Sequence, residues 1–458
     1  MTYRSDTARF ACVALALAAA VASAVASAVV PAIARAQGVD TLHLGVLQHD
    51  AERADRRAAQ RELLAAQSAL RLETLRAERL PALDWLMQAQ YLSDVPTVGA
   101  LLPGGVAPPA PPNDNYDARI GARQRLYDPT RAPRRGIERA ELAESEARLG
   151  TVLFAQRQAV NDAFFAALLL DAQRAALDAG IADLEAQREV VGARVTEGVA
   201  LPGDLAMLDA ELLRRRQSRD ALVAEGTAVR DVLGALTDRE IPPTAVLAVP
   251  RATADEALAR ALARSDSAAG AAALAAGRPE HAQFDAGRAL LSERRAAVAA
   301  RDRPSISAFG RAGYGRPGLN PLAREFDSYW TAGVQLEWRP WDWGASRRER
   351  EVLALQTRII ATEEEAFEAG IERALLRAAA NIAQLRSSLV ADDQIVDLHR
   401  RVLDEARLRF GEGVITTAEY VDRQTDLLSA ELARETHRVQ LAEARARVLT
   451  TLGLEVRE

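Results

Sequence analysis

The side chains of this chain best placed to act on a passing ion are acidic. Asp204 lies six residues after Gly198, Glu419 lies six residues after Gly413, and Asp422 follows one helical turn later. Carboxylates gathered around a common axis make a negative constriction that attracts cations and resists anions, which is electrostatics and not catalysis. The same residues also suit helix starts. Thr416 with Glu419 has the spacing of a capping box, and Asp204 falls in the first turn after Pro202, where the helix dipole favours a carboxylate. Gating and capping both stay open for Asp204 and Glu419, whereas Asp422, deeper in its helix, is not explained by capping.

Conventional catalytic groupings are absent from the sequence pattern. The five histidines (His43, His49, His281, His399 and His437) are scattered, with no pair at helical metal-binding spacing. No histidine–carboxylate cluster, serine nucleophile elbow or phosphate loop is legible. The expectation is a protein that is not an enzyme and that needs no cofactor or metal.

The glycines beside the acids belong to a repeat. Arg194-Val195-Thr196-Glu197-Gly198-Val199 recurs as Arg409-Phe410-Gly411-Glu412-Gly413-Val414, about 215 residues on. Arg125-Leu126-Tyr127-Asp128 matches Arg339-Pro340-Trp341-Asp342, and Pro81 matches Pro304. An internal duplication on this scale dictates architecture. Each half reads as strand, loop, strand, long helix, tight turn and shorter helix. The expected boundaries are residues 1–36 for a leader, 37–245 for the first repeat and 246–458 for the second. In the first repeat, strands lie at about 82–92 and 116–127, with a helical hairpin at about 131–238 turning at Gly198. In the second, strands lie at about 305–314 and 328–339, with a hairpin at about 345–452 turning at Gly413.

The strands alternate strictly. Trp330, Ala332, Val334, Leu336 and Trp338 share one face, while Tyr329, Thr331, Gly333, Gln335, Glu337 and Arg339 share the other. Leu83, Trp85, Met87, Ala89 and Tyr91 alternate with polar residues in the same way. In the segment that holds Tyr116, Ala118, Ile120 and Ala122, only Gln124 breaks the apolar face. About ten residues of apolar-out, polar-in alternation with aromatic margins is the pattern of a transmembrane β-strand. Trp85, Tyr91, Tyr116, Tyr127, Tyr329, Trp330, Trp338 and Trp341 form the expected aromatic girdle. Four strands cannot close a barrel, and an open edge in lipid leaves backbone groups unpaired, so other copies must supply the rest. Two copies give eight strands and three give twelve, and the strand count alone does not choose.

From Asp128 to Gly198 and from Asp342 to Gly413 the chain is rich in Ala, Leu, Glu, Arg and Gln, with no proline beyond the first turns. These are strong helix formers, and at about 1.5 Å per residue each run extends roughly 100 Å. Apolar positions such as Val160, Phe164, Leu168, Leu177 and Leu184 recur at three- and four-residue steps, which makes a packing stripe.

Composition sets the compartment. With 49% hydrophobic but only 5% aromatic residues, the chain suits close-packed helices better than one large core. A net charge of −6, with both signs interleaved, gives no pull towards nucleic acid. Arg4 and Arg9, the apolar run to Val30 and the exit Ala34-Arg35-Ala36 read as a secretory leader. Cys12, the only cysteine, falls inside it, which leaves no disulfide chemistry after cleavage.

Taken together, Pro81 and Pro304 at strand starts, Tyr127-Asp128 and Trp341-Asp342-Trp343-Gly344 at strand-to-helix joins, and the two Glu-Gly-Val turns resemble the TolC family of outer-membrane efflux proteins. The resemblance covers essentially all of the chain after the leader. It implies a mainly α fold with a small β-barrel contribution: a homotrimer whose twelve-stranded outer-membrane barrel, four strands per chain, continues as a periplasmic α-barrel of long coiled helices. It also implies a passive exit duct in a tripartite efflux pump or type I secretion system, served by a periplasmic adaptor and an inner-membrane transporter of RND or ABC type. The tips would then carry the closed iris at Asp204, Glu419 and Asp422, and the adaptor would dock at Gly198, Val199, Leu201, Gly413, Val414 and Ile415. One departure stands out: Phe410 and Ile415 occupy positions near the second tip where some family members place polar latches. The competing reading is a secreted, soluble helical bundle with an ordinary sheet and no channel activity.

Overall fold

The structure is a computed structural model that describes residues 41–95, 110–249, 254–264, 277–321 and 323–456. The expected leader with Cys12, and residues 96–109 of the first strand-to-strand loop, lie outside the described residues. Two compact units are distinguished. One holds residues 42–243 and 247–458, and all that follows concerns it; the other comprises residues 1–41 and 244–246 and is described only at Thr41 and Thr244–Val246.

The larger unit is mainly helical. After α1 (Leu44–Ala54) and α2 (Gln60–Ala77) come two strands, β1 (Ala82–Tyr91) and β2 (Asp114–Tyr127). Helices α3 (Arg131–Phe154), α4 (Gln156–Thr196) and α5 (Pro202–Thr237) follow, then α6 (Ala254–Arg264) and α7 (Pro279–Arg301). The second strand pair, β3 (Ser305–Arg316) and β4 (Asp327–Glu337), leads into α8 (Ala345–Gly411) and α9 (Thr417–Thr451). Among the described residues no helix is long and apolar enough to cross a membrane.

The four strands form one antiparallel sheet in the order β1-β2-β3-β4, so β1 and β4 are its edges. Register places Trp85, Ile120, Ala312 and Trp330 in one row across the sheet, on the apolar face. A β-bulge between Arg125 and Tyr127 shifts the register where the sheet hands over to α3.

Helix α8 runs unbroken for 67 residues, about 100 Å at 1.5 Å per residue. Its counterpart in the first half is not one helix. The run expected from Asp128 to Gly198 is divided at Ala155 into α3 and α4, although Ala155 keeps right-handed helical angles (φ −60°, ψ −22°). Of the contacts around the break, the one from Arg278 is tertiary and was not visible in the sequence pattern, and the others are local. Arg157 and Arg278 each place a guanidinium 4.7 Å from the Phe154 ring, and Thr151 bonds back to the Ala147 carbonyl at 3.3 Å, which weakens a helical ladder.

The helices pack in pairs. Towards the sheet, α3 packs on α2 and α7, and α7 packs on the first part of α8. Towards the far end, α4 with α5 and α8 with α9 make two antiparallel hairpins joined through α4 and α9. A buried polar chain crosses the middle: Gln48 Nε2 donates to Asn161 Oδ1 at 2.6 Å, and Asn161 Nδ2 donates to Thr450 Oγ1 at 2.9 Å. Buried amides of this kind are fully useful only when each partner is present, so they fix how α1, α4 and α9 meet.

Candidate functional site

Both hairpin turns are built in the same way. Gly198 and Gly413 adopt left-handed backbone, with φ of +77° and +74°. The Val199 N–H reaches the Arg194 carbonyl and the Val414 N–H the Arg409 carbonyl, each at 2.8 Å; the Gly198 and Gly413 N–H groups bond Val195 and Phe410, each at 3.1 Å. This is the Schellman arrangement, and it explains the Glu-Gly-Val recurrence: glycine takes the left-handed position and the next residue closes the turn.

Beyond the turns the hairpins differ. Thr416 and Glu419 cap α9 reciprocally: Thr416 Oγ1 accepts from the Glu419 N–H at 3.3 Å, and Glu419 Oε2 accepts from the Thr416 N–H at 3.0 Å. At α5 only half of that exchange exists. Asp204 Oδ2 accepts from the Leu201 N–H at 3.3 Å, and Leu201 has no side-chain acceptor to return. The other Asp204 oxygen accepts from the buried Thr417 hydroxyl at 2.8 Å, tying the start of α5 to the start of α9. Asp422 is exposed, and its carboxylate has no hydrogen bond or ion pair among the described residues.

Below the turns the four helices share an apolar cluster that includes Leu184, Val191, Leu208, Phe410 and Tyr420. Phe410 and Tyr420 stack at 4.9 Å with a 14° interplanar angle. Ile415, grouped in the sequence with the docking residues, is half-buried and packs on this cluster. Val199, Leu201 and Val414 stay exposed.

Polar links between the hairpins were not legible in the sequence, because they join residues more than 200 positions apart. Arg194 donates to the Phe410 and Gly411 carbonyls at 3.3 and 2.7 Å, covering the end of α8. Arg407 and Gln424 both reach Asp183. Burial, with Asp183 adding to it, pushes the Tyr420 phenol up. Arg215, buried, binds Glu211 at 2.8 Å, the Gly180 carbonyl at 3.2 Å and Thr425 Oγ1 at 3.4 Å. Burial pushes Glu211 up, but hydrogen bonds from Arg214 and Arg215 outweigh it and hold the carboxyl low.

At the other end of the helices, the sheet presents its apolar face outward. Trp85 is 76% exposed and Trp330 75%, and Leu83, Met87, Tyr91, Ile120, Val334, Leu336, Trp338 and Trp341 are also exposed. Tyr116 and Tyr127 are roughly half exposed. Tyr329 differs from the other girdle residues because strand pleating turns it away from Trp330. It lies on the polar face, where its hydroxyl bonds Asp117. Its ring covers Gly313, where a Cβ would stand only 2.6 Å away.

Folding also assembles histidine–carboxylate pairs that the sequence spacing concealed, which corrects the reading that none exists. His437 Nδ1 lies 2.6 Å from Asp392 Oδ2, across α8 and α9. His281 on α7 lies 3.2 Å from Glu364 on α8, with Glu368 one turn on, and their ligand-type atoms fall within 4.8 Å of one another. Arg288 binds the same Glu364 and, with His281, holds that carboxyl below its usual range. The cluster therefore carries its own cation, and His281 also packs against Phe284 and Phe367. Both pairs read as contacts that fix helix register.

No family model and no curated protein matches the sequence. The fold does match solved structures. The outer membrane protein VceC from Vibrio cholerae superposes with a TM-score of 0.61 at 12% identity, over 90% of this chain and 97% of that one. CusC, studied for transmembrane channel formation, gives a TM-score of 0.62 at 14% identity over 90% and 92% of the two chains. The open state of the Neisseria gonorrhoeae MtrE outer membrane channel gives 0.58 at 18% identity over 90% and 89%. With its four-stranded sheet, its two helical hairpins and the helices between them, this chain has the fold of the TolC-family outer membrane proteins.

Proposed function

We propose that the chain is one protomer of an outer-membrane exit duct. Three copies join their sheets edge to edge into a twelve-stranded barrel, and their helices continue as a periplasmic tunnel. One observation carries this reading: a four-stranded sheet whose apolar, tryptophan-bearing face is exposed and whose two edge strands have no outer partner among the described residues. In water such a face is an aggregation hazard, and in lipid each unpaired edge group costs roughly several kcal/mol. Closure with other copies pairs the edges, and lipid covers the apolar face. The opposite face, with Asp117, Arg119, Arg311 and Tyr329, suits a water-filled lumen.

The hairpin turns would form the periplasmic end. Asp204 and Glu419 are engaged in caps and links, so Asp422 is the acid left to project into a constriction, and the second hairpin forms the narrower ring. Exposed Val199, Leu201 and Val414 offer the apolar surface for a periplasmic adaptor. An inner-membrane transporter, of RND or ABC type, supplies the energy in an efflux pump or type I secretion system, and the duct itself hydrolyses nothing. The test is fractionation with and without detergent, followed by the mass of the extracted particle. A detergent-dependent trimer is expected; a soluble periplasmic monomer would leave the soluble-bundle reading in its place.

A further inference from the structure

The join between β4 and α8 carries exposed apolar and cationic groups that no contact within the described chain satisfies. Trp341 and Trp343 meet edge to face at 5.9 Å and 88°, and they are 70% and 81% exposed. Trp343 also holds φ of +57°, followed by Gly344 at +76°. Left-handed backbone is rare for a bulky side chain and persists only where its surroundings demand it. Here the indole gains almost no burial within the chain in return.

Two guanidinium groups close on the same turn. A Cβ on Gly344 would stand 3.4 Å from Arg348 Nη1 and 4.0 Å from Arg347 Nη2. Neither side chain has a hydrogen bond or ion pair among the described residues. Asp342 does not neutralise them by contact, since its oxygens accept from the N–H groups of Gly344 and Ser346 at 2.9 and 2.6 Å.

The first join shows what is missing. Arg134 follows Asp128 at the interval by which Arg348 follows Asp342, and it donates to both oxygens of Glu78 at 2.6 and 2.7 Å. Glu78 stands three residues before Pro81, but three residues before Pro304 stands Arg301. Arg301 pairs with Glu349 at 3.1 Å. The position that supplies a carboxylate in one copy is a cation in the other, and Arg348 is left without its anion.

We propose that Trp341, Trp343, Arg347 and Arg348 bind the phosphate headgroup of a glycerophospholipid on the helix side of the bilayer. This rests on the outer-membrane reading, because it needs the sheet's apolar face in lipid. Guanidinium groups bind phosphate through paired, charge-assisted hydrogen bonds, and indoles settle at headgroup depth. A free phosphate would satisfy the arginines but leave both indoles in water. A phospholipid covers both, because its acyl chains continue along the apolar face at Trp338 and Leu336.

Native mass spectrometry of the detergent-extracted protein tests this with three probes: phosphatidylglycerol, diacylglycerol and inorganic phosphate. Phosphatidylglycerol should be retained and diacylglycerol should not. Arg347→Gln with Arg348→Gln should weaken retention roughly tenfold or more, as expected for lost charge-assisted bonds. Trp343→Gly, which suits the left-handed turn, should also weaken it without loss of folding. Equal retention of phosphatidylglycerol by the double variant, equal binding of diacylglycerol, or binding of inorganic phosphate alone would overturn the proposal. Conductance of the same preparations in planar bilayers separates the two levels. A conducting protein with unchanged lipid retention removes only this site, whereas a protein that is soluble without detergent and never conducts removes the duct as well.

Discussion

The two hairpins share a turn and little else. Each ends its outgoing helix in the same Schellman geometry at Gly198 or Gly413, yet the contacts on either side are not interchangeable. Arg194 reaches over to cover the end of α8, while its counterpart Arg409 pairs with Glu405 in its own helix. The second hairpin stacks Phe410 on Tyr420, and the matching positions in the first are Val195 and Leu205. Asp422 in the second corresponds to Met207 in the first. A duplicated sequence has thus kept the element that sets backbone direction and diverged in those that set packing and charge. The link between hairpins is heterologous, because among the described residues the Arg194 contacts with α8 are not repeated by Arg409.

The largest expected effect lies in the aromatic stack. Tyr420→Ala should destabilise the protein by about 3–5 kcal/mol, as loss of a fully buried ring does, whereas Leu205→Ala, at the matching but only partly buried position, should cost about 2 kcal/mol. Thermal unfolding of the two variants measures the difference, and equal losses would mean that the hairpins are alike in packing after all. A smaller contrast separates the arginines. Arg194→Ala should cost about 1 kcal/mol, because it uncovers the carbonyls of Phe410 and Gly411. Arg409→Ala removes only an exposed pair within one helix and should cost below about 0.5 kcal/mol.

A further contrast depends on pH and concerns the sheet end of the second hairpin. The Ser346 hydroxyl, with the N–H groups of Ser346 and Gly344, lowers the Asp342 carboxyl to about 2. Its ionised form therefore stabilises the folded state at pH values above about 4, and that contribution disappears as pH falls through about 2. Asp342→Asn should lower the melting temperature at neutral pH and match the parent protein near pH 2. The smallest effect on stability is expected at Asp422, which is exposed and whose carboxylate has no hydrogen bond or ion pair among the described residues. Asp422→Ala should leave melting unchanged and reduce cation preference and block by multivalent cations. Unchanged selectivity would return the second tip to a purely structural role.

The mainly helical, TolC-like fold was legible because its signals are local. Long proline-free runs of helix formers mark α4 and α8, and the alternation around Trp330 to Trp338 tells one sheet face from the other. The glycine turns were legible because glycine's left-handed backbone leaves a sequence mark. What escaped was tertiary. The interruption at Ala155 has no proline or glycine at the break, and Arg278 is brought from afar onto Phe154 beside its near neighbour Arg157. Asp183 shows no pattern of its own until Arg407 and Gln424 arrive from the other hairpin. The Asp204–Thr417 bond also joins residues that no spacing argument pairs, so capping and gating stayed open for Asp204 in the sequence. Tyr329 shows the opposite fault: residue type placed it in the girdle, although the same alternation assigns it to the polar face.

The most direct measurement of the central claim is single-channel recording of the detergent-extracted protein in planar lipid bilayers. Closure of three four-stranded sheets around a polar lumen predicts discrete, long-lived conductance steps, with cation preference that falls in Asp422→Ala. Protein that stays in the aqueous phase and produces no steps would contradict the duct and assign the exposed tryptophan face to another role.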